Sequence, residues 1–220
     1  MYFAKKLVLK TVLFGEMSLF LIAKAIVSQT AYAVNTYYAL LSGLQQIQQI
    51  SAMLIRMQLV VILTDIRSAQ NVGSIFRSAD AVGALALWTC GLTPYPHVTD
   101  DQRPPHVADR AHQLVAKTAL GAETLLPHRH FKDLDEAVTE CLKHNYIVLG
   151  LEQAESSVDL FTYQLDRPAA LILGREVSGL SSRELALCDV LLEIPMYGAK
   201  ESLNVAVAAG VALYALRNSS

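Results

Sequence analysis

From residue 57 onward, short apolar runs of strand length alternate with longer segments whose apolar residues follow helical spacing. The first run covers residues 59–63, and the next segment, 71–82, places apolar residues three or four positions apart. Strands that are apolar on both faces and are separated by helices form a parallel sheet that is covered on both sides. The sequence therefore predicts an α/β fold with an open, mostly parallel sheet and helices on both faces.

The same alternation assigns the remaining elements of this part of the chain. We predict further strands over 85–90, near Thr124 and Leu125, and over 146–151, 169–173 and 190–194. We predict further helices over 107–119 and 133–143, and a closing helix over 202–216 with Ser202 as its N-cap. The segment 91–105 is predicted to be a loop, because it contains Pro94, Pro96, Pro104 and Pro105.

The first 56 residues differ from the rest of the chain in charge. They hold six charged residues, so 13 basic and 19 acidic residues remain in 57–220, which carries a net charge of −6. We therefore divide the chain into an apolar N-terminal extension, 1–56, and a globular domain, 57–220.

Three interpretations of the extension compete. Three lysines ahead of an apolar stretch are typical of a membrane or secretory segment, but Glu16 and Lys24 interrupt the stretch and polar residues occur throughout 25–55. We therefore expect no membrane insertion. Leucines and isoleucines between residues 40 and 54 have helical spacing, which favours an amphipathic helical appendage. Alternatively, the physiological start is Met57 and the extension lies upstream of it; these last two interpretations remain open.

The sequence lacks the signatures of several kinds of site. Three distant cysteines without a C-x-x-C pair suggest neither disulfides nor a zinc site, and fit a cytoplasmic protein. The six histidines show no H-E-x-x-H spacing, so we expect no metal. Neither G-x-G-x-x-G nor G-x-x-x-x-G-K-[ST] occurs, so the standard dinucleotide and triphosphate cradles are missing. The formal net charge of −2 gives no general attraction to nucleic acid.

Three glycine-containing turns follow predicted strands, at 65–77, 174–180 and 195–204. In open α/β sheets ligands bind just beyond the carboxyl ends of the strands, so these turns form the predicted site. The first turn opens a helix at Asn71, whose free amides suit a phosphate, with Arg77 close behind. In the other two turns, Gly174, Gly179 and Gly198 would permit unusual torsions and a close backbone approach.

Three motifs in these turns are recognisable as a set. They are N-V-G-S-I-F-R-S-A-D-A-V-G-A at 71–84, L-I-L-G-R-E-V-S-G-L at 171–180 and I-P-M-Y-G-A-K-E-S-L-N-V at 194–205. In this order they resemble the motifs of the SpoU-type, or TrmH-like, branch of the SPOUT RNA methyltransferases. The resemblance implies that S-adenosylmethionine donates a methyl group to a ribose 2'-hydroxyl of tRNA or rRNA. It also implies a homodimer, and a C-terminal deep trefoil knot, which is a rare exception to unknotted topology.

The resemblance also implies roles for individual residues. Arg77 matches a motif-one arginine regarded as catalytic, Asn71 the asparagine that supports it, and Glu176 the motif-two glutamate. Ser202 and Asn204 match the motif-three pair. The residues that correspond to the family's cofactor pocket are Leu173, Gly174, Glu176, Gly179, Ile194, Met196, Ser202 and Leu203.

Chemistry limits what Arg77 can do. A 2'-hydroxyl is a weak nucleophile that must be aligned and relieved of its proton, and arginine stays protonated in proteins. We therefore expect Arg77 to hold an RNA phosphate or to orient the hydroxyl. The alternative function is a non-catalytic SPOUT-fold module for RNA binding or assembly, although the presence of all five matching residues weighs against it.

How RNA is recruited is open at this point, because 1–56 does not resemble the RNA-binding domain of several relatives. One set of basic residues is either a solvated surface or an RNA-facing patch. Its members are Arg103, Arg110, Lys117, His128, Arg129 and His130.

Overall fold

Residues 38, 40–45 and 58–219 are described by the structure, which is a computed structural model. The described residues of the extension, 38 and 40–45, are helical, and the other predictions for 1–57 lie outside the described residues. A helix with the length and apolar character to span a membrane is absent from the described part of the chain. Residues 58–219 belong to one compact unit, which contains all of the strands described below.

Seven strands form one sheet in this unit: β1 (Leu59–Thr64), β2 (Ala86–Cys90), β3 (His128–Phe131), β4 (Ile147–Leu151), β5 (Val158–Asp159), β6 (Ala169–Leu173) and β7 (Val190–Glu193). Their order is β3-β2-β1-β6-β4-β7-β5, and each pair of neighbours is parallel. The predicted open parallel sheet is therefore confirmed, and its strands end at a common edge.

Six helices accompany the sheet: α1 (Ala69–Val82), α2 (Pro105–Ala119), α3 (Ala122–Leu125), α4 (Leu134–Lys143), α5 (Ser182–Leu185) and α6 (Val205–Asn218). Alternate residues of β1 divide between two cores. Val61 and Leu63 pack with α1, α2 and α6 on one face, whereas Val60 and Ile62 pack with α4 on the other. This burial on both faces explains why the central strands read as unbroken apolar runs.

The predicted strand near Thr124 and Leu125 is wrong, because these residues belong to the single turn α3. The strand in this region is β3, whose sequence His-Arg-His-Phe pairs only with β2 at the edge of the sheet. Edge strands need no apolar run, so the sequence pattern missed it. The pattern also missed β5 and α5, which have two and four residues.

Two predicted helix starts are also wrong. The closing helix begins at Val205 and not at Ser202, because Asn204 is the N-cap and its Oδ1 accepts the Ala206 amide at 2.9 Å. Helix α1 begins before Asn71, because the Ser68 hydroxyl accepts the Asn71 amide at 3.3 Å and caps the helix. In both places several residues of good capping chemistry stand close together, and the sequence did not discriminate between them.

Candidate functional site

A cavity of about 160 Å³ lies at the carboxyl ends of three neighbouring strands, β6, β4 and β7. The turns that follow β6 and β7 form much of its wall. All of the residues predicted to surround the cofactor line this cavity: Leu173, Gly174, Glu176, Gly179, Ile194, Met196, Ser202 and Leu203. Strand order thus brings together residues from two distant motifs, and their contact with a cofactor stays a prediction.

The turn after β6 is a tight hairpin whose neck depends on Gly174. The amide of Arg175 donates to the Gly179 carbonyl at 3.2 Å, and the Gly179 amide donates back to the Arg175 carbonyl at 3.1 Å. A Cβ atom on Gly174 would lie 2.6 Å from the carbonyl carbon of Gly179. Because the obstacle is backbone, no side-chain rotation can relieve this contact, and glycine is required here.

Gly179 is constrained from two directions. Its φ of 58° is in the left-handed region, and a Cβ there would lie 1.9 Å from Oε2 of Glu152. The same carboxylate oxygen accepts the Leu180 amide at 2.8 Å, so Glu152 at the end of β4 holds the far side of the hairpin. Gly198, in contrast, has no described atom within 4 Å of such a Cβ, so the close approach predicted there has no support within the described chain.

Glu176, near the tip of the hairpin, occupies the N-terminus of α1. Its carboxylate accepts the Ser68 amide at 3.0 Å, the Arg67 amide at 3.2 Å and Nδ2 of Asn71 at 3.1 Å. Burial raises the pKa of Glu176, but these donors outweigh burial, so that the pKa lies below its usual value. The carboxylate is therefore ionised at neutral pH.

This arrangement corrects the expectation of a phosphate at the start of α1. A helix N-terminus attracts one anion through its free amides, and here a side chain of the protein already supplies that anion. The sequence could not reveal this, because Glu176 lies 108 residues after Ser68.

Asn71 links the first motif to the third. Its Nδ2 group donates to Glu176, and its Oδ1 accepts from Nδ2 of Asn204 at 3.2 Å. Asn204 thereby joins the network, although it does not line the cavity, whereas Ser202 lines the cavity and lies outside the helix. Ser202 therefore does not belong to the helix start that Asn204 caps, and the expectation that both residues face one crevice stays a prediction.

Arg77 is separate from these groups in the single chain. It is exposed on α1, six residues beyond Asn71, which corresponds to about 9 Å along the helix axis. It neither lines the cavity nor bonds to the Glu176–Asn71–Asn204 network among the described residues. The structure thus joins Glu176, Asn71 and Asn204 by hydrogen bonds, places Ser202 in the cavity wall that Glu176 also lines, and leaves Arg77 on the outer surface.

An ion-paired cluster that the sequence analysis missed anchors the base of the hairpin. Arg175 donates from Nη1 to Oε2 of Glu184 at 2.7 Å, and its Nη2 pairs with Asp65. Glu184 also accepts the amide and hydroxyl of Ser181, both at 2.7 Å, in a capping box. The S-x-x-E spacing of Ser181 and Glu184 was the available sequence signal.

This cluster predicts a pH-dependent contribution to stability. Burial raises the pKa of Glu184, but hydrogen bonds from Arg175 and Ser181 outweigh it and hold the pKa at about 2, below the ordinary 4.5. The stabilisation is therefore complete above pH 4.5 and is lost as the pH falls toward 2. We expect Glu184→Gln to lower the free energy of unfolding at pH 7 by about 2 kcal/mol.

Urea unfolding at pH 7, 5 and 3 measures this effect. The difference between the wild type and Glu184→Gln should narrow at the lowest pH, and the exposed control Glu155→Gln should show no difference at any pH. A destabilisation by Glu184→Gln that is equal at all three pH values would contradict the assignment.

Carboxylates dominate the charge around the cavity. Glu152, Glu176, Glu193 and Glu201 line it, against the single cation Arg175. Glu152 and Glu176 bind backbone amides, whereas the side chains of Glu193 and Glu201 make no hydrogen bond or ion pair to another described residue. The cavity is therefore negatively charged, and two carboxylates are available to a ligand.

The three cysteines do not supply a nucleophile to this site. All are free thiols, and burial raises the pKa of Cys141 and of Cys188 to about 12 and raises the pKa of Cys90 further. At neutral pH these thiols are protonated, and only a thiolate attacks an electrophile.

Comparisons with known proteins agree with the motif resemblance. Residues 58–214 match the family described as SpoU rRNA Methylase. The 23S rRNA (guanosine-2'-O-)-methyltransferase RlmB of Xylella fastidiosa (strain 9a5c) is 34% identical over 156 residues, which make up 71% of this chain and 57% of that protein. The chain thus spans a little over half the length of this curated relative.

Solved structures show the same architecture. The SpoU methyltransferase AviRb from Streptomyces viridochromogenes, in complex with the cofactor AdoMet, superposes with a TM-score of 0.62 at 29% identity, covering 74% of this chain and 57% of that chain. An AdoMet-bound rRNA methyltransferase from Sinorhizobium meliloti gives a TM-score of 0.60 at 26% identity, covering 73% and 56%.

Proposed function

Because this chain belongs to the SpoU rRNA methylase family, we propose that it transfers a methyl group from S-adenosylmethionine to a ribose 2'-hydroxyl of RNA. The main support is the cavity at the ends of β6, β4 and β7, which is lined by every residue that the motifs assign to the cofactor. Ribosomal RNA is the first substrate to test, because the relative from Xylella fastidiosa is named a 23S rRNA (guanosine-2'-O-)-methyltransferase.

The residues around the cavity fit this cofactor. When bound, S-adenosylmethionine supplies an electrophilic methyl group on a positively charged sulfonium. The carboxylates of Glu193 and Glu201 can hold a cation or accept hydrogen bonds from ribose hydroxyls, whereas they would repel the phosphates of a nucleotide. Leu173, Ile194 and Leu203 provide apolar surface for a flat ring.

The network beside the cavity fits the second half of the reaction. Glu176 is ionised and fixed by three donors, so it holds the Asn71 amide in one orientation. Asn71 and Asn204 present polar groups that can orient a hydroxyl, and Arg77 can hold the adjoining phosphate as a permanent cation. The titratable side chain in this network is Glu176, and its lowered pKa makes it a weak base. We therefore assign to these residues the alignment of the hydroxyl and not the removal of its proton.

The same proposal includes a homodimer. Along α6, Val207 and Tyr214 lie seven residues apart on one side and are exposed, and Leu203 just before the helix is also exposed. Val177, which lines the cavity, is fully exposed, and Tyr197, next to the lining residue Met196, is 92% exposed. These apolar side chains suit contact with a second copy, since such groups gain stability when they are covered.

Val207→Glu is expected to convert the dimer to a monomer, because it places a charge in the contact between two copies. Light scattering should give twice the 24.0 kDa chain mass for the wild type and one chain mass for the variant. Leu142→Glu is the matched control, because Leu142 is 60% exposed on α4 and should leave the mass unchanged. A monomeric wild type at micromolar concentration would refute the dimer.

Two finer parts of the proposal are the knot and the compartment. The strand order supports a knotted C-terminal part, because β6 inserts between β1 and β4 while β7 pairs on the other side of β4.

The three free thiols support a reducing compartment, so we place the protein in the cytoplasm.

Calorimetry with S-adenosylmethionine tests the cofactor assignment. We expect one site per chain, with no requirement for a metal ion, and weaker binding in Glu193→Gln than in the control Glu155→Gln. Binding without any methyl transfer to RNA would favour the alternative, a non-catalytic module. Well-folded protein that binds no cofactor would refute the proposal.

A further inference from the structure

The predicted basic set separates into engaged and available side chains. Arg103 donates to both carboxylate oxygens of Asp101 and to two backbone carbonyls, and Arg129 pairs with Glu140 at 3.0 Å. His128 hydrogen-bonds the His97 carbonyl at 2.8 Å. His130 stacks on the ring of Tyr95, and burial lowers its pKa. These four residues are therefore poor ligands for an RNA phosphate.

Arg110 and Lys117 remain available. Both are exposed on α2, and neither side chain forms an ion pair or hydrogen bond with another described residue. At 100° per residue they share one stripe with His106 and Gln113, on the side of the helix opposite the buried Val115. The stripe thus projects into solvent and holds no apolar residue.

Helix α1 packs against the opposite side of α2, where Val115 lies. The two helices pack closely at Gly73, where a Cβ would lie 2.2 Å from the Thr118 hydroxyl. That hydroxyl donates to the Gln70 carbonyl at 2.9 Å, and Gln70 shares one side of α1 with Arg77, seven residues later. Arg77 and Lys117 therefore lie on exposed sides of adjoining helices.

The end of this surface reaches the candidate site. Arg67 immediately precedes the cap of α1, its side chain is unpaired among the described residues, and its amide donates to Glu176. Besides Arg67, Arg77, Arg110 and Lys117, only Lys132 and Lys200 among the described basic residues lack an ion pair or a side-chain contact. Four of these six available cations thus lie on α1, on α2 or directly before α1, in a domain with an excess of acids.

We propose that the outer face of α1 and α2, defined by Arg67, Arg77, Arg110 and Lys117, docks the phosphate backbone of the RNA substrate. The inference rests on the proposed function. Phosphate contacts position a nucleic acid without reading its sequence, so this face would hold RNA of many sequences by its backbone. Arg67 adjoins the Glu176 network through its amide, so an RNA strand that contacts Arg67 also lies beside that network.

The double variant Arg110→Gln/Lys117→Gln tests this assignment in the full chain. Fluorescence anisotropy with a labelled rRNA hairpin should show roughly tenfold weaker binding at low salt. The slope of log affinity against log salt should decrease by about two, or about one for each lost phosphate contact. Affinity for S-adenosylmethionine should stay unchanged, because neither residue lines the cavity.

The control is Lys132→Gln/Arg167→Gln, which removes two positive charges from exposed positions outside this face, although Arg167 pairs with Asp166. Its salt slope should equal that of the wild type. An equal decrease in both double variants, or none in the first, would overturn the assignment of the face. Wild-type protein that fails to bind any RNA would instead refute the proposed function. If Arg110→Gln/Lys117→Gln loses the wild type's binding to anionic phosphatidylserine vesicles but keeps its RNA binding, the face binds a membrane and the proposal is overturned.

Discussion

Gly174→Val should weaken binding of S-adenosylmethionine by roughly 5- to 150-fold, because keeping the hairpin closed around the cofactor would then carry an overpacking cost of about 1–3 kcal/mol. The new Cβ would meet the carbonyl carbon and oxygen of Gly179 at 2.6 and 2.7 Å and the Leu180 amide nitrogen at 2.8 Å. The hairpin must then open at its neck, and the cavity wall that it forms moves with it. Calorimetry measures the affinity, and circular dichroism shows whether the variant is folded.

Gly198→Val is the matched control in the third turn. A side chain there meets no described atom within 4 Å, so the same substitution should leave affinity nearly unchanged. Wild-type affinity in a folded Gly174→Val protein would contradict the account of the hairpin. An equal loss in both variants would show that the two turns respond to any added bulk, and that the close contact at Gly174 is not the cause.

Arg77→Ala should reduce the single-turnover rate of methyl transfer by roughly a hundred-fold to ten-thousand-fold, the usual range for a positioned group that acts on the substrate. The exposed guanidinium on α1 can hold the RNA next to the reacting ribose, although it does not line the cavity. Cofactor affinity should therefore change little. Arg77→Lys should not restore the rate, because an ammonium cannot reproduce the planar two-pronged contact of arginine with a phosphate.

These measurements need saturating enzyme and RNA, so that weaker docking is not mistaken for slower chemistry. The control is Arg110→Gln on the neighbouring helix, which should affect RNA affinity and leave the saturated rate within a few-fold of the wild type. Near-normal turnover by Arg77→Ala would refute the role of Arg77 in methyl transfer. An unfolded variant would show that Arg77 instead contributes to folding.

The sequence predicted the central sheet well, because a strand that is buried on both faces consists of consecutive apolar residues. Strand β6, for example, is apolar at all five positions and is buried throughout. The edge strand β3 has no such apolar run, since its residues His128 and Arg129 are partly exposed to solvent. Prediction was therefore most accurate where the hydrophobic effect acts on every residue of an element.

The candidate site was predictable to the extent that it follows strand ends. The turns at 174–180 and 195–204 were located because each follows a predicted strand, whereas Leu173 and Ile194 were assigned through the motif resemblance. Glu152 and Asp65 were missed, because their importance comes from contacts with Leu180 and Arg175 across the sheet. The same limit explains the misplaced phosphate: the occupant of the α1 N-terminus is Glu176, a partner fixed only by the tertiary fold.

We propose that this chain methylates a ribose 2'-hydroxyl of RNA, and one measurement tests this activity directly. Purified full-length protein is incubated with unmodified rRNA and methyl-labelled S-adenosylmethionine, and the RNA is then hydrolysed with alkali. A methylated 2'-oxygen cannot attack its phosphate, so we predict that the label is recovered in alkali-resistant dinucleotides and that Arg77→Ala strongly reduces it. Label recovered only in single nucleotides would place the methyl group on a base, and protein that binds the cofactor but labels no rRNA or tRNA would contradict the claim.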